Sequence, residues 1–230
     1  MSDVRPSGPR VLADRLADVD SRIAEAARAA GRDPAELTRI VVTKFHPASL
    51  VRELYALGVR DIGENRHQEA AAKAEELTDL DLTWHFVGQL QSNKARAVRR
   101  YARVVHSVDR DSLVDALAGE TPLDVFIELN LTGDPARGGV APDAAETLAE
   151  RVASTTGLVL RGVMAVAPLD ADPRAAFAGV RAVSGRIRAI VPEASAISAG
   201  MSDDFAEAIL EGATHLRIGT AITGKRSTKG

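Results

Sequence analysis

The chain has 230 residues, of which 45% are hydrophobic and 27% are charged, and its 29 Lys and Arg against 32 Asp and Glu give a net charge of −3. This composition is typical of a globular protein and excludes disordered, collagen-like and membrane-embedded chains. The absence of cysteine excludes disulfide frameworks, thiolate metal sites and cysteine nucleophiles.

The same numbers set expectations about location and partners. No stretch approaches the roughly 18 uncharged apolar residues of a membrane span, and the first residues lack the apolar segment of a signal peptide. We therefore expect a cytoplasmic protein with no membrane partner. The slightly negative net charge provides no general attraction for nucleic acid, so any anion site must be local.

Strand and helix patterns alternate along the whole chain. Apolar residues three and four apart between Val11 and Ala26 predict an amphipathic helix that ends at Gly31. A β-branched strand at 40–42 follows, and a helix begins after Pro47 and ends at Gly58. The further predicted strands are 59–62, 83–87, 104–108, 125–131, 159–166, 196–199 and 216–218, and the further predicted helices are 67–77, 92–101, 112–117, 144–154, 173–190 and 204–210.

Eight strands that alternate with helices predict a parallel sheet covered by helices. We interpret the chain as an α/β protein, a single (β/α)8 TIM-type barrel over 1–230 with an extra N-terminal helix and frayed ends at 1–10 and 227–230. An open doubly wound sheet would usually carry a glycine-rich turn after its first strand, where this chain has Lys44, Phe45, His46 and Pro47.

A lysine follows the first predicted strand, at the end of the barrel where functional groups are found. Desolvation and neighbouring cations lower the pKa of such an amine and free it to attack a carbonyl carbon. Lys44 is therefore a candidate nucleophile. The alternative interpretation is a surface lysine whose head group reaches solvent.

The loops after barrel strands seven and eight commonly bind phosphate, because glycine allows a close backbone approach and a following helix offers free N–H groups. Both loops of this chain contain glycine and hydroxyl residues. The candidates are Ser198, Gly200, Ser202, Gly219 and Thr220. Asp203 or Asp204 would cap the following helix or face water, because a carboxylate would repel a phosphate.

An arginine lies two residues before Gly219, so strand alternation places it on the inner face of the barrel. An inward guanidinium needs an acceptor, which could be the carboxylate of Glu128 or a ring nitrogen of a cofactor. Lysine, phosphate loops and Arg217 together fit one ligand, pyridoxal 5′-phosphate (PLP).

Five ordered blocks of sequence resemble the PLP homeostasis protein family, whose fold is similar to the N-terminal barrel of alanine racemase. The blocks are Val42-Thr43-Lys44, Ile62-Gly63-Glu64-Asn65-Arg66, Trp84-His85-Phe86-Val87-Gly88, Gly200-Met201-Ser202-Asp203-Asp204 and Arg217-Ile218-Gly219-Thr220-Ala221-Ile222.

The resemblance implies a role for individual residues. It implies that Lys44 holds PLP as a Schiff base and that Arg217 faces the pyridine nitrogen. Asn65 would lie near the ring. The phosphate would be held by Ser202, Gly219 and Thr220, with Ser198 as a further phosphate contact, and Met201 would also belong to the cofactor-binding residues.

The family resemblance implies a protein that buffers and delivers PLP to PLP-dependent apoenzymes with little or no turnover. The alternative is a weak amino-acid racemase. Two-base racemisation needs a second base, and neither Tyr55 nor Tyr101 falls at a predicted strand end, so water or His85 would have to serve. We expect a monomer, because alanine racemases dimerise partly through a further domain that this pattern lacks.

Three other interpretations have weaker support. Gly219 to Lys225 imitates a phosphate-binding P-loop, but Arg226 stands where Ser or Thr is needed. The predicted basic helix with Lys94, Arg96, Arg99, Arg100 and Arg103 has no accompanying nucleic-acid-binding motif. Because the five histidines show no metal-ligand spacing, we expect no metal site.

Overall fold

The computed structural model describes residues 9–224, which form a closed barrel of eight parallel strands in chain order. The strands are β1 (Thr38–Val42), β2 (Asp61–Glu64), β3 (Thr83–Phe86), β4 (Val104–Val108), β5 (Leu123–Leu129), β6 (Leu158–Ala165), β7 (Ala196–Ser198) and β8 (His215–Ile218). The predicted TIM-type barrel and all eight predicted strands are confirmed.

Helices cover the outside of the barrel. They are α1 (Pro9–Ala29), α2 (Ala48–Ala56), α3 (His67–Glu76), α4 (Ala95–Val98), α5 (Asp111–Leu117), α6 (Ala145–Ala153), α7 (Pro173–Ile190), α8 (Phe205–Leu210) and α9 (Thr220–Thr223). The predicted N-terminal helix is confirmed as α1, which packs against α8 and α9 and so supports the loops after β7 and β8. In the described part of the chain, no helix combines the length and apolarity needed to cross a bilayer.

The barrel closes between its first and last strands, where Ile40 of β1 pairs with Arg217 of β8 in parallel register. Most of the apolar core lies between the strands and the helices. A smaller buried cluster, with Phe126 and Met164, fills part of the barrel interior. Because strand residues alternate between these two environments, the side chains of β8 at 215 and 217 point inward with Ile40.

Several predicted details differ from the structure. The continuous basic helix over 92–101 is wrong: a short 3-10 turn, Ser92–Lys94, precedes α4, and Arg103 lies outside both. Arg99 donates to the carbonyl oxygens of Leu117 and Thr121, so this guanidinium satisfies the backbone at the end of a neighbouring helix.

The chain ends were predicted to be frayed. Residues 1–8 and 225–230 lie outside the described residues, as do the Lys225 and Arg226 that decide the P-loop interpretation. Pro9 and Arg10 already belong to α1, because proline suits the first turn of a helix, where its missing N–H is not needed.

Candidate functional site

A cavity of about 480 Å³ opens at the carboxyl ends of the strands, the end at which the sequence predicts function. Its volume lies within the range of small-molecule sites. The lining residues come from the carboxyl ends of six strands and from the segments that follow them; they are Val42, Lys44, Phe45, His46, Asn65, Val87, Val166, Met201, Ser202, Asp203, Arg217, Gly219, Thr220, Thr223 and Gly224.

The turn after β1 carries the candidate nucleophile. Thr43 is buried, and the following Lys44 is exposed at the cavity. Phe45 has a φ of 66°, the one left-handed non-glycine residue of the described chain. Its N–H donates to Oε2 of Glu69 at 3.0 Å, and the guanidinium of Arg66 lies 4.8 Å from its ring centre. These contacts hold the backbone of the turn in a conformation that costs energy for an L-residue.

Three buried polar side chains support this turn from below, and we call Thr43, Glu64 and Lys73 the strand-end network. Lys73 Nζ donates to Glu64 Oε1 at 2.5 Å and to the carbonyl oxygen of Thr43 at 2.8 Å. The hydroxyl of Thr43 donates to the same carboxylate oxygen at 2.6 Å. The carbonyl next to Lys44 is therefore fixed by a buried cation.

Sequence reasoning missed this network. Burial raises the pKa of Glu64, and the contacts with Lys73 and Thr43 oppose that rise. The sequence contains one signal for Lys73: it lies three residues after the buried Ala70 of α3, so helical spacing places both on one face.

The loop after β7 turns sharply before α8. Gly200 has a φ of 92°, and a Cβ there would lie 2.8 Å from the Cβ of Ala208. Asp204 is the N-cap residue of α8, but its Oδ1 accepts from the N–H of Met201 at 2.6 Å instead of from the helix. The carboxylate thus fixes the loop, while the exposed Asp203 lines the cavity mouth.

The loop after β8 lies beside this one. Ser202 Oγ accepts from the N–H of Ala221 at 3.4 Å, a contact that joins the two predicted phosphate loops. Gly219 is the N-cap of α9, a four-residue helix that is not among the predicted helices. Gly219, Thr220 and Ser202 all line the cavity, so the two loops present their backbone and hydroxyl groups to the same space.

Arg217 closes the floor of the cavity and is only 5% exposed. It donates to Ser198 Oγ at 2.7 Å and to the carbonyl oxygen of Ala165 at 2.9 Å. Burial lowers the pKa of Arg217 to about 10, and the carboxylates of Glu128 and Asp204 oppose this. Ser198 and Ala165, not Glu128, are its hydrogen-bond acceptors in the described chain.

The structure brings together at the cavity all of the predicted site residues except Ser198 and Gly200. Those that line the cavity are Lys44, Asn65, Met201, Ser202, Arg217, Gly219 and Thr220. Ser198 does not line the cavity, because it is fully buried beneath Arg217 in the barrel interior. Asn65 Oδ1 is buried and has no hydrogen-bond partner among residues 9–224, as expected for a group that contacts a ligand.

Sequence reasoning missed His46 and Thr223, which also line the cavity. Burial, with the charge of Lys73, lowers the pKa of His46 and so favours its neutral imidazole. His85, the predicted substitute base, lies inside the barrel below the cavity floor. Within residues 9–224, no three His, Cys, Asp or Glu side chains form a group that could hold a metal ion.

The chain is similar to known proteins in both sequence and structure. A profile of the alanine racemase N-terminal domain family matches residues 16–227. The pyridoxal phosphate homeostasis protein of Pseudomonas aeruginosa is 44% identical over 224 residues, which cover 94% of this chain and 96% of that protein.

The chain is also similar to proteins of solved structure. PipY of Synechococcus elongatus with PLP bound is 37% identical with a TM-score of 0.80, covering 92% of this chain and 99% of that chain. Alanine racemase of Corynebacterium glutamicum is 15% identical with a TM-score of 0.69, covering 93% of this chain and 60% of that chain. The latter similarity concerns the fold alone.

Proposed function

The chain belongs to the pyridoxal phosphate homeostasis protein family and carries the alanine racemase N-terminal domain, and on that premise we propose that it binds PLP and holds it as a Schiff base on Lys44. The observation that supports the proposal most directly is the cavity at the carboxyl ends of the strands. It is lined by the amine of Lys44, the guanidinium of Arg217 and the hydroxyl-bearing segments after β7 and β8. The PLP-bound PipY structure, at 37% identity, supports the ligand.

Each group has a role that suits this ligand. The amine of Lys44 would add to the aldehyde carbon; the new C=N bond replaces the C=O bond, and the oxygen leaves as water. Ser202, Gly219 and Thr220 would hold the phosphate through hydroxyl and N–H donors. Asn65 would place its Oδ1, which has no partner in the described chain, near the ring of the ligand. Arg217 would lie beside the ring nitrogen and keep it unprotonated, because a second positive charge next to the guanidinium is unfavourable.

We also propose that turnover is low and that the protein stores PLP and delivers it to apoenzymes in the cytoplasm. Bound PLP supplies an electron sink that weakens bonds at the α-carbon of an amino acid. A ring nitrogen that Arg217 keeps unprotonated makes that sink poorer. Neither tyrosine lines the cavity: Tyr55 packs against Arg60 and Tyr101 contacts His67.

We also propose that the protein is a monomer. Light scattering of the protein loaded with PLP would measure its mass in solution and test this.

The covalent link is tested by the visible spectrum of purified protein before and after borohydride, followed by mass mapping of the reduced adduct. Borohydride adds hydride to the carbon of a Schiff base and leaves a stable secondary amine. We expect the cofactor mass on the Lys44 peptide. Lys44→Ala should abolish the adduct and leave the fold unchanged, because this side chain is exposed.

Lys94→Ala is the matched control, because Lys94 lines a neighbouring cavity of about 330 Å³ instead of this one. It should keep the adduct. Retention of a reducible adduct in Lys44→Ala, or its loss in Lys94→Ala, would contradict the assignment.

Low turnover is tested by incubating loaded protein with single L-amino acids and measuring D-isomer and solvent-deuterium uptake against free PLP. We expect no excess over that background. Clear turnover would favour the racemase instead, and its loss in His46→Gln would identify the one neutral imidazole of the cavity lining as the base.

A further inference from the structure

A chain of hydrogen bonds crosses the inside of the barrel, and we call its members, Asp61, His85, His106, Ser198 and Arg217, the barrel relay. Arg217 Nη1 donates to Ser198 Oγ at 2.7 Å, and that oxygen lies 2.9 Å from His106 Nδ1. His106 Nε2 lies 3.0 Å from His85 Nδ1, and His85 Nε2 lies 3.0 Å from Asp61 Oδ1.

The chemistry of the two ends gives the relay a direction. A guanidinium can only donate, so Ser198 accepts from Arg217 and is free to donate its own proton to His106 Nδ1. His106 then carries its proton on Nε2 and donates to His85 Nδ1. His85 likewise carries its proton on Nε2 and donates to Asp61, whose carboxylate offers acceptors only. With both rings neutral, every contact is satisfied in this single arrangement.

The reverse arrangement has a defect. If His106 donated to Ser198 instead, His85 would have to donate to His106 from Nδ1, and its Nε2 would face the carboxylate of Asp61 without a proton. Either a proton on the Asp61 carboxyl group or a second proton on His85 would be needed to repair that contact, and the second would place a cation in a residue that is 3% exposed.

The surroundings of His106 favour its neutral form. Burial, with the charge of Arg217, holds the pKa of His106 well below its usual range. The ring of His106 stacks on Phe126 with 4.5 Å between ring centres. His215, the other histidine facing this cluster, contacts Thr214 Oγ1 through Nδ1, and burial lowers its pKa to about 4.

The relay connects the two ends of the barrel. Arg217 lies in the floor of the candidate cofactor cavity, at the carboxyl ends of the strands. Asp61 is the first residue of β2, its side chain is 32% exposed, and it lines a separate cavity of about 430 Å³ at the opposite end. A change at Asp61 can therefore reach Arg217 through buried, oriented contacts.

We propose that Asp61, His85, His106 and Ser198 are positioning residues that orient the guanidinium of Arg217 from the far end of the barrel and set the charge environment that it presents in the cavity. The consequence for a bound cofactor rests on the proposed function, whereas the relay itself belongs to the protein without ligand.

The relay is tested first in ligand-free protein by long-range ¹H–¹⁵N NMR of the histidine side chains, with assignments from single-histidine variants. We expect His85 and His106 to be neutral with the proton on Nε2, and Ser198→Ala to shift the resonances of both rings. A proton on Nδ1 of either ring, or unchanged resonances in Ser198→Ala, would overturn the proposal.

The long-range effect is tested with Asp61→Asn against Asp124→Asn. Asp124 is a matched control because it also lies at the beginning of a barrel strand, is 31% exposed and is paired with Arg161. We expect the guanidinium protons of Arg217 to exchange with solvent several-fold faster in Asp61→Asn and at the wild-type rate in Asp124→Asn. Equal rates in both variants would overturn the proposal.

In loaded protein, Asp61→Asn should shift the visible absorption maximum, while Asp124→Asn should leave it unchanged. If the wild-type protein takes up no PLP, the proposed function fails, and the ligand-free measurements still decide whether the relay exists.

Discussion

Two buried polar networks lie below the candidate cavity, the strand-end network and the barrel relay. They differ in where their charged groups are placed. The strand-end network pairs a full cation with a full anion, Lys73 with Glu64, at 2.5 Å. The barrel relay keeps neutral groups in its middle and places its charges, Arg217 and Asp61, at its two ends.

The difference indicates two kinds of support. Removing one member of a buried ion pair leaves the other charge uncompensated, so the strand-end network is expected to affect stability most. When one contact in a chain of neutral, oriented hydrogen-bonding groups changes, less stability is lost. The change nevertheless alters the hydrogen bonds of the other groups in the chain. The first network fixes the turn of Lys44, and the second adjusts the environment of Arg217.

The largest effect is expected for Lys73→Met, which leaves Glu64 buried without its cation. The free energy of unfolding should fall by about 3 to 5 kcal/mol, measured by urea denaturation at neutral pH. Adding Glu64→Gln to Lys73→Met removes the unpaired charge and should recover a large part of the loss.

Arg52→Met is the control for this prediction, because it breaks the exposed ion pair with Asp79. It should leave stability unchanged within error. A Lys73→Met variant as stable as wild type would show that the buried ion pair does not support the turn, and the contrast between the two polar networks would disappear.

An intermediate effect is expected from Glu128, which titrates beside the Arg217 end of the relay. Burial, with the charge of Asp109, raises the pKa of Glu128 to about 7, and Arg217 opposes the rise. Because this folded pKa lies above that of the unfolded chain, the native state keeps the proton longer. The free energy of unfolding should therefore fall as the pH rises from about 4.5 to about 7. At higher pH the whole energetic cost of ionising the buried carboxyl group remains.

Urea denaturation of Glu128→Gln measures that cost. At pH 8 the variant should be about 1 to 3 kcal/mol more stable than wild type, and near pH 4.5 the two should be equal. Glu193→Gln, an exposed substitution, should leave the pH profile unchanged. A Glu128→Gln profile parallel to wild type would mean that this carboxyl group does not titrate in the window.

The sequence predicted the barrel well because its signals are local. Short β-branched segments such as Ile40 to Val42 alternate with helical patterns, and glycines mark the loops at 200 and 219. Parallel strands then place all strand ends together, so Lys44, Ser202 and Arg217 could be assigned to one site from their positions in the chain.

The strand-end network and the barrel relay could not be predicted in the same way. The relay joins strands that begin at 61, 83, 104, 196 and 215, and their side chains meet only because the sheet closes on itself. Alternation predicts that Ser198 and Arg217 face inward, but it does not predict the hydrogen bond between them, and the sequence therefore indicates Ser198 as a candidate phosphate contact. Lys73 was missed because lysine is rarely buried without a partner, and its partner lies on another element.

The smallest effect is expected at Phe45, whose left-handed φ of 66° tests how firmly the strand-end network and Glu69 hold the turn. Phe45→Ala and Phe45→Gly both remove the ring that Arg66 covers, but only glycine adopts this φ without a steric penalty. Phe45→Gly should therefore be more stable than Phe45→Ala by roughly 0.5 to 1 kcal/mol in urea denaturation, after the greater freedom of glycine in the unfolded chain is included. Equal stabilities, or a less stable glycine variant, would mean that the turn relaxes to a negative φ without its ring and that neither Glu69 nor the buried ion pair enforces its conformation.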